Sequence, residues 1–328
     1  MTTRIRIGIV GYGNLGRGVE TALGLNPDME LVGVFTRRDP QSVETVDAQT
    51  PVFPIADLDR DRDDVDVLIL CGGSRSDLPE QSPAQASRYS IVDSYDNHAR
   101  IPEHFAAVDA AARAAGTTAV ISTGWDPGLF SLNRVYGEAI VPQGATYTFW
   151  GRGLSQGHSD ALRRVPGVAG GVQYTLPSET AIDAVRAGEN PELTTRERHT
   201  RECFVVLEDG ADAETVRAEI VTMPDYFEPY ETTVHFISAD ELERDHRGMP
   251  HGGFVIRSGA TSEGTKQVIE YRLGLESNPE FTASVLVAYA RAAARMNRAG
   301  DVGAKTPFDV APGLLSPLSA EQLRADYL

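Results

Sequence analysis

The sequence predicts an α/β protein: a Rossmann-type, doubly wound parallel sheet joined to a second α+β domain on a mixed or antiparallel sheet. Three observations carry this. The 328 residues suggest about two domains. Short β-branched runs alternate with helical stretches as far as Trp125, the pattern of parallel strands with right-handed crossovers. Beyond Trp125, strand-like runs follow one another across long polar loops, a texture closer to antiparallel sheet.

In chain order, Ile5–Val10 reads as a strand, Leu15–Leu25 as a helix, and Leu31–Phe35 as the second strand. The acidic stretch Asp57–Asp66 reads as a solvated turn leading into a strand at Asp66–Leu70. Ser90–Val92 is a further strand, Glu103–Ala115 a helix, and Thr118–Ile121 the last strand of this series. Thr146–Trp150, Phe204–Val206, Thr232–Phe236, Phe254–Ile256 and Val268–Leu273 are the strands expected of the second domain. The alanine-rich stretch Pro279–Arg295 is helical and is expected to return to the first domain. A loop-rich tail holding Pro307, Pro312 and Pro317 follows. The expected domains are 1–123, 124–277, and a returning segment 278–328.

Composition narrows the function. Apolar residues are 41% and charged residues 23%, as in an ordinary globular protein. A formal net charge of −17 argues against nucleic acid or an anionic membrane as the main partner. Only Lys266 and Lys305 are lysines; high-salt adaptation and genomic base composition both account for this. No apolar run reaches the 18 or so residues of a membrane span, and the start resembles a strand rather than a signal peptide, so a cytoplasmic protein is expected. Cys71 and Cys203 have no metal-site or redox spacing, and no H-E-x-x-H occurs, so neither a disulfide nor a metal is expected.

The segment Gly11-Tyr12-Gly13-Asn14-Leu15-Gly16 is a G-x-G-x-x-G between a strand and a helix. Its glycines allow a tight turn against a pyrophosphate, and the new helix offers free N–H groups to that anion. The second strand ends in Thr36-Arg37-Arg38, where NAD-binding domains usually carry an acidic residue. A hydroxyl and two guanidiniums suit the 2′-phosphate of NADP(H), although a solvated arginine pair would look the same.

Ligands in open parallel sheets sit beyond the carboxyl ends of the strands. Three such ends carry polar loops: Cys71-Gly72-Gly73-Ser74, Asp93-Ser94-Tyr95-Asp96-Asn97-His98, and Ser122-Thr123-Gly124-Trp125-Asp126-Pro127-Gly128. The small residues leave room for ribose and nicotinamide. Asp96 and Asp126 would face the nicotinamide crevice, where two carboxylates suit an ammonium substrate or acid–base work on an amine. Either one alone is equally suited to closing a turn. In the second domain Gly151–Asp160 is a glycine-rich loop opening a helix. Thr175, Arg201 and His251 are groups able to bind a carboxylate, each weak by itself.

With these residues in view, the chain resembles the NADP-dependent meso-diaminopimelate dehydrogenases over essentially its whole length. The resemblance rests on Val10–Gly16, Thr36–Arg38, Tyr95–His98, Ser122–Gly128, Phe149–Gly151, Gly153–Arg164, Gln173–Ser178, Met223–Phe227 and Met249–Gly253. Arg152, where proline is expected, and Gly72, where a bulkier residue is expected, depart from it. The resemblance implies NADP-dependent oxidative deamination at the D-centre of meso-2,6-diaminopimelate. It also implies that Asp96, Asp126, Trp150, Gln156 and Gly157 surround the substrate while Thr175, Arg201, His251 and Asn278 hold its L-end. It implies a homodimer with the second domain forming much of the contact, while clamping one molecule between two domains suggests closure that excludes water before hydride transfer. Asp96 and Asp126 are the candidate proton acceptors, with His158 a weaker one. A related NADP-dependent amino or imino acid dehydrogenase or reductase, and a non-catalytic NADP(H) sensor, are the alternatives.

Overall fold

A computed structural model describes residues 4–59 and 64–328. The expected acidic turn at 57–66 therefore lies partly outside the described residues. The chain forms two compact units, Met1–Leu132 with Pro279–Leu328, and Asn133–Asn278.

The first unit is built on strands β1 (Ile5–Val10), β2 (Met29–Thr36), β3 (Val52–Pro54), β4 (Val67–Leu70), β5 (Ser90–Asp93) and β6 (Thr118–Val120). With a strand from the tail, β14 (Gly303–Lys305), they make one sheet in the order β14-β6-β5-β4-β1-β2-β3. Every pair in it is parallel. The chain order reverses direction between β1 and β4, the place where such sheets open a crevice at their carboxyl ends.

Both faces of this sheet are covered, as the near-continuous apolar strands require. Ile7, Ile9, Val34, Ile69 and Val92 pack on one side with helix α1 (Asn14–Gly24) and with Leu286, Tyr289, Ala290 and Ala293 of the long helix Asn278–Arg298. Val10, Phe35, Leu68, Leu70 and Ile91 pack on the other with α2 (Leu78–Ala86) and α3 (Ile101–Ala115). The tail is more than a loop: the segment Gly-Ala-Lys has no pattern of its own, yet it forms the sheet's edge strand against β6.

The second unit has the mixed and antiparallel strand pairing expected, divided between two sheets. After α4 (Leu129–Ile140) come β7 (Gln143–Trp150), β8 (Gly153–Leu154), α5 (Gln156–Leu162), β9 (Val168–Pro177), α6 (Glu179–Arg186), α7 (Thr195–Arg198) and β10 (His199–Leu207). Then follow α8 (Ala213–Val221), β11 (Glu231–Phe236), α9 (Ala239–Asp245), β12 (His251–Ser262) and β13 (Thr265–Leu275). They form a four-stranded sheet, β11-β10-β9-β8, and a three-stranded one, β13-β12-β7. The first is mixed because β10 and β11 run parallel, whereas the second is antiparallel throughout.

Strand β9 was not expected from sequence. Gly170 and Gly171 lower its strand propensity, but Gly171 is needed: a Cβ there would lie 2.9 Å from both Leu162 and the Phe204 carbonyl. Strand β12 runs well beyond Phe254–Ile256 for a similar reason. At Gly252 and Gly253 an added Cβ would meet carbonyl oxygens of the neighbouring strands at 2.1 Å.

Candidate active site

The glycine loop after β1 is shaped for close approach by a ligand. Gly11 has φ +88, and a Cβ on Gly16 would sit 2.5 Å from the Gly11 carbonyl, so these two glycines let the loop fold onto the helix. Gly13 precedes α1 with no side-chain cap, and a Cβ there would meet nothing within 4 Å. A side chain at position 13 would thus stand over the start of α1, and glycine keeps that helix end open to a ligand.

At the end of β2, Arg38 donates from its backbone to the Thr36 hydroxyl (3.1 Å) and from its guanidinium to the Tyr12 carbonyl. Its side chain thus lies along the glycine loop. Arg37 is more exposed and pairs with Asp77 at 2.8 Å. Asp77 also accepts the Gly73 N–H at 2.7 Å, which fixes the loop after β4. The glycine at 72 has a physical reason here, since a Cβ would lie 2.8 Å from both Asp77 and Gln81. Beneath the loop, Glu20 accepts from the Tyr12 hydroxyl, from Thr50 at 2.6 Å, and from the N–H groups of Val46 and Asp47, each at 3.0 Å. Burial and this carboxylate push the Tyr12 phenol up to about 12. Burial likewise pushes the Cys71 thiol up to about 12, so it is no nucleophile at neutral pH. These residues fit NADP(H).

The loops after β4 and β5 are tied together: Ser74 donates its hydroxyl to Asp96 at 2.5 Å and accepts the Asp96 N–H at 2.9 Å. Tyr95 is buried, whereas Asp96 is exposed. In the loop after β6, backbone bonds from Leu129 to Gly124 (3.1 Å) and from Phe130 to Trp125 (2.8 Å) close the turn. Gly128, at φ +130, is needed because a Cβ would collide with the Gly124 carbonyl at 1.9 Å. Trp125 packs edge-on against Phe130, and half-buried Asp126 lies on the turn between them.

The second unit gathers its own set through strand register. Thr175 on β9 lies opposite both Arg201 on β10 and Gly153 on β8, and Trp150 on β7 lies opposite Gly253 on β12. Arg201 is 6% exposed; it donates to the Thr175 hydroxyl, and its guanidinium stands 3.8 Å from the Tyr230 ring centroid. Its buried Nε has no hydrogen-bond partner among the described residues. A desolvated cation with a donor left over has the chemistry to receive an anion. Gly153 makes room for His251, whose ring would lie 2.5 Å from a Cβ there. Gln156 approaches the Met249 sulfur at 3.1 Å, and the Asn278 N–H donates to the Met249 carbonyl at 3.0 Å. Gly157 lies in the first turn of α5 with open space beside it.

Two residues missed from sequence belong to this set. Tyr230 sits in a loop without any motif. His199 stacks on Trp150 at 5.3 Å and accepts its backbone N–H through Nε2 at 2.8 Å. Burial, reinforced by Arg201, drives His199 down to about 4, so it is a neutral acceptor. His158 is lowered to about 4 for the same reasons, and its Nδ1 lies 2.9 Å from the Ser155 hydroxyl. Arg152 pairs with Glu202 at 3.1 Å and stands 5.0 Å from the Tyr174 ring centroid, where proline would make neither contact.

Among the described residues no helix is long and apolar enough to cross a membrane. Residues 124–277 match the family model of the diaminopimelic acid dehydrogenase C-terminal domain. The chain is 64% identical over 324 residues to a meso-diaminopimelate D-dehydrogenase of Lysinibacillus sphaericus, covering 99% of each. It aligns over 100% of both chains, at 53% identity and a TM-score of 0.91, with the Corynebacterium glutamicum DAP dehydrogenase in complex with DAP. An engineered D-amino acid dehydrogenase bound to NADP⁺ is similar at 52% identity and a TM-score of 0.86, over 99% of this chain and all of that one.

Proposed function

The chain belongs to the meso-diaminopimelate D-dehydrogenase family, and from that membership we propose how its residues divide the work. The reaction is NADP-dependent, reversible oxidative deamination of the D-centre of meso-2,6-diaminopimelate. The products are ammonia and L-2-amino-6-oxopimelate, which cyclises to tetrahydrodipicolinate, a step in lysine and peptidoglycan precursor formation. The family at this identity does not favour a sensor or a reductase of another amino or imino acid.

NADP⁺, when bound, supplies the hydride acceptor. In our reading the glycine loop and the N-terminal end of α1 hold its pyrophosphate, and Thr36, Arg37 and Arg38 hold its 2′-phosphate. Asp96 and Asp126 attract the D-ammonium, and one of them takes its proton, directly or through water. Loss of that proton and of the α-hydrogen leaves an imine, which water cleaves to the oxo acid and ammonia. Arg201 and Thr175 grip the distal L-carboxylate, with His251, Asn278, Trp150 and Gln156 around them. The observation that carries this is Arg201, a buried guanidinium whose Nε lacks a partner among the described residues.

NADPH formation with meso-, LL- and DD-diaminopimelate tests the reading. The meso isomer should react fastest, the DD isomer slowly for want of a correctly handed distal end, and the LL isomer not at all. Equal rates on all three would overturn it. We also read the second unit as the homodimer surface, supported by Val135, Tyr136 and Ile140, which are half or more exposed on one helix. Ile140→Glu should then yield monomers in sedimentation velocity. A cytoplasmic location accompanies this reading, because its cofactor pool is intracellular.

A further inference from the structure

The loops that carry Asp96 and Asp126 both trace back to one buried group. Asp93, the last residue of β5, is fully buried. Its Oδ1 accepts the N–H of Tyr95 at 3.0 Å and that of Ser122 at 2.9 Å. Its backbone carbonyl accepts the Thr123 N–H at 3.0 Å and hydroxyl at 2.7 Å. Its Oδ2 accepts the Ser82 hydroxyl of α2 at 2.6 Å and lies 2.8 Å from His104 Nε2 of α3. The His104 ring in turn stacks on Tyr95, with centroids 4.0 Å apart. One residue therefore links the β5 loop, the β6 loop and two helices.

A second observation shows what this link must hold. Ser122 has φ +55, in the left-handed region that residues with a Cβ avoid. A strained residue persists only where its surroundings over-determine it, and such residues concentrate at functional sites. The Ser122 N–H, whose direction depends on that φ, points at Asp93 Oδ1. The conformation of Ser122 sets the start of the turn Thr123–Asp126.

We propose that Asp93 is a positioning residue for the dehydrogenase reaction: it holds Ser122 in its left-handed conformation and so fixes Asp126 and Asp96 relative to the nicotinamide. This rests on the reading that those two carboxylates act on the substrate. Asp93 touches no reactant itself. Asparagine can serve nearly as well, with its carbonyl towards Tyr95 and Ser122 and its amide towards Ser82 and His104. Leucine has a similar shape and can accept none of these bonds.

The test compares Asp93→Leu and Asp93→Asn, each alone and combined with Ser122→Gly. Misplacing a reacting group by about 1 Å costs on the order of 100-fold. Asp93→Leu should lower kcat by about that factor with KM for NADP⁺ little changed. The primary isotope effect with D-centre-deuterated substrate should rise as hydride transfer becomes slower. Asp93→Asn should keep most of the activity. Glycine reaches φ +55 without an anchor, so Ser122→Gly should restore roughly tenfold to Asp93→Leu. The fluorescence of bound NADPH should fall in Asp93→Leu and recover in the double variant, independently of turnover.

A loss of melting temperature in Asp93→Leu with wild-type kcat, isotope effect and NADPH fluorescence would overturn the proposal. So would a failure of Ser122→Gly to restore anything. If Asp93→Leu does not fold, Ser122→Val carries the test: a β-branched residue resists positive φ and should reproduce the kcat loss, and wild-type behaviour would refute us. If the unaltered protein fails to oxidise meso-diaminopimelate, the substrate reading falls, while the NADPH fluorescence series still decides the role of Asp93.

Discussion

Arg201 donates to the Thr175 hydroxyl from the strand directly opposite, and stands over Tyr230 with its Nε unpaired among the described residues. A guanidinium held this way fixes the direction as well as the distance of a bound carboxylate. Arg201→Met should therefore raise KM for meso-diaminopimelate by about 100-fold, since hydrogen bonds to charged groups are worth about 1.5–3 kcal/mol each. Arg201→Lys keeps the charge but loses the planar fork, and should still cost about tenfold. Both variants should bind NADP⁺ normally. A D-amino acid lacking the distal carboxylate should be affected far less, and equal losses on the two substrates would place Arg201 at the reacting end or in folding.

Arg37 and Arg38 should contribute unequally to NADP⁺. Arg37 is engaged with Asp77 and must give up or share that pair to meet a phosphate, whereas Arg38 already lies along the glycine loop. Arg38→Ala should weaken NADP⁺ by about 10- to 100-fold and Arg37→Ala by less. NAD⁺, without the 2′-phosphate, should be little affected by either change. The ratio of kcat/KM for the two cofactors is the measurement, and an unchanged ratio in both variants would refute the assignment.

Asp126→Asn preserves the shape of its turn, because backbone bonds close it. It should lower kcat/KM for meso-diaminopimelate by about 100-fold or more, the usual scale of a lost proton acceptor. Cofactor affinity and melting temperature should stay the same; if they fell together with activity, Asp126 would be a structural residue.

His199 should make the protein acid-sensitive. Its pKa is lowered from 6.5 in the free side chain to about 4 in the fold, because burial disfavours the charged form. The neutral ring accepts the Trp150 N–H, so its stabilisation is fully present above about pH 6.5 and is lost as pH falls towards 4. The linkage is worth up to about 3 kcal/mol. His199→Gln retains an acceptor without titrating there, and its melting temperature should fall less steeply between pH 6.5 and 4. Parallel curves for the two proteins would rule the mechanism out.

Arg291 is 2% exposed and grips Asp28 at 2.6 and 2.9 Å, the Asn26 side chain at 2.6 Å and the Leu315 carbonyl at 2.7 Å. Arg291→Leu strands a partly exposed carboxylate and frees the tail. It should destabilise the protein by about 2–4 kcal/mol, read as a fall of several degrees in melting temperature.

The glycine loop and the basic end of β2 are legible from the residues alone. The strand, glycine loop and helix from Ile5 to Gly24, and the arginines that end the second strand, are contiguous, and their periodicity reports their geometry directly. The polar loops of Asp96 and Asp126 were legible for the same reason, since strand ends in a parallel sheet converge wherever the loops begin. Tertiary structure alone decided the rest. Thr175 and Arg201 meet through the register of two antiparallel strands, one of which carries glycines that hide it from any propensity argument. Tyr230 and His199 join them from segments without a motif, and Asp93 reaches Ser122 from the neighbouring strand. Such contacts depend on which distant residues pack together, and no local pattern of amino acids encodes that.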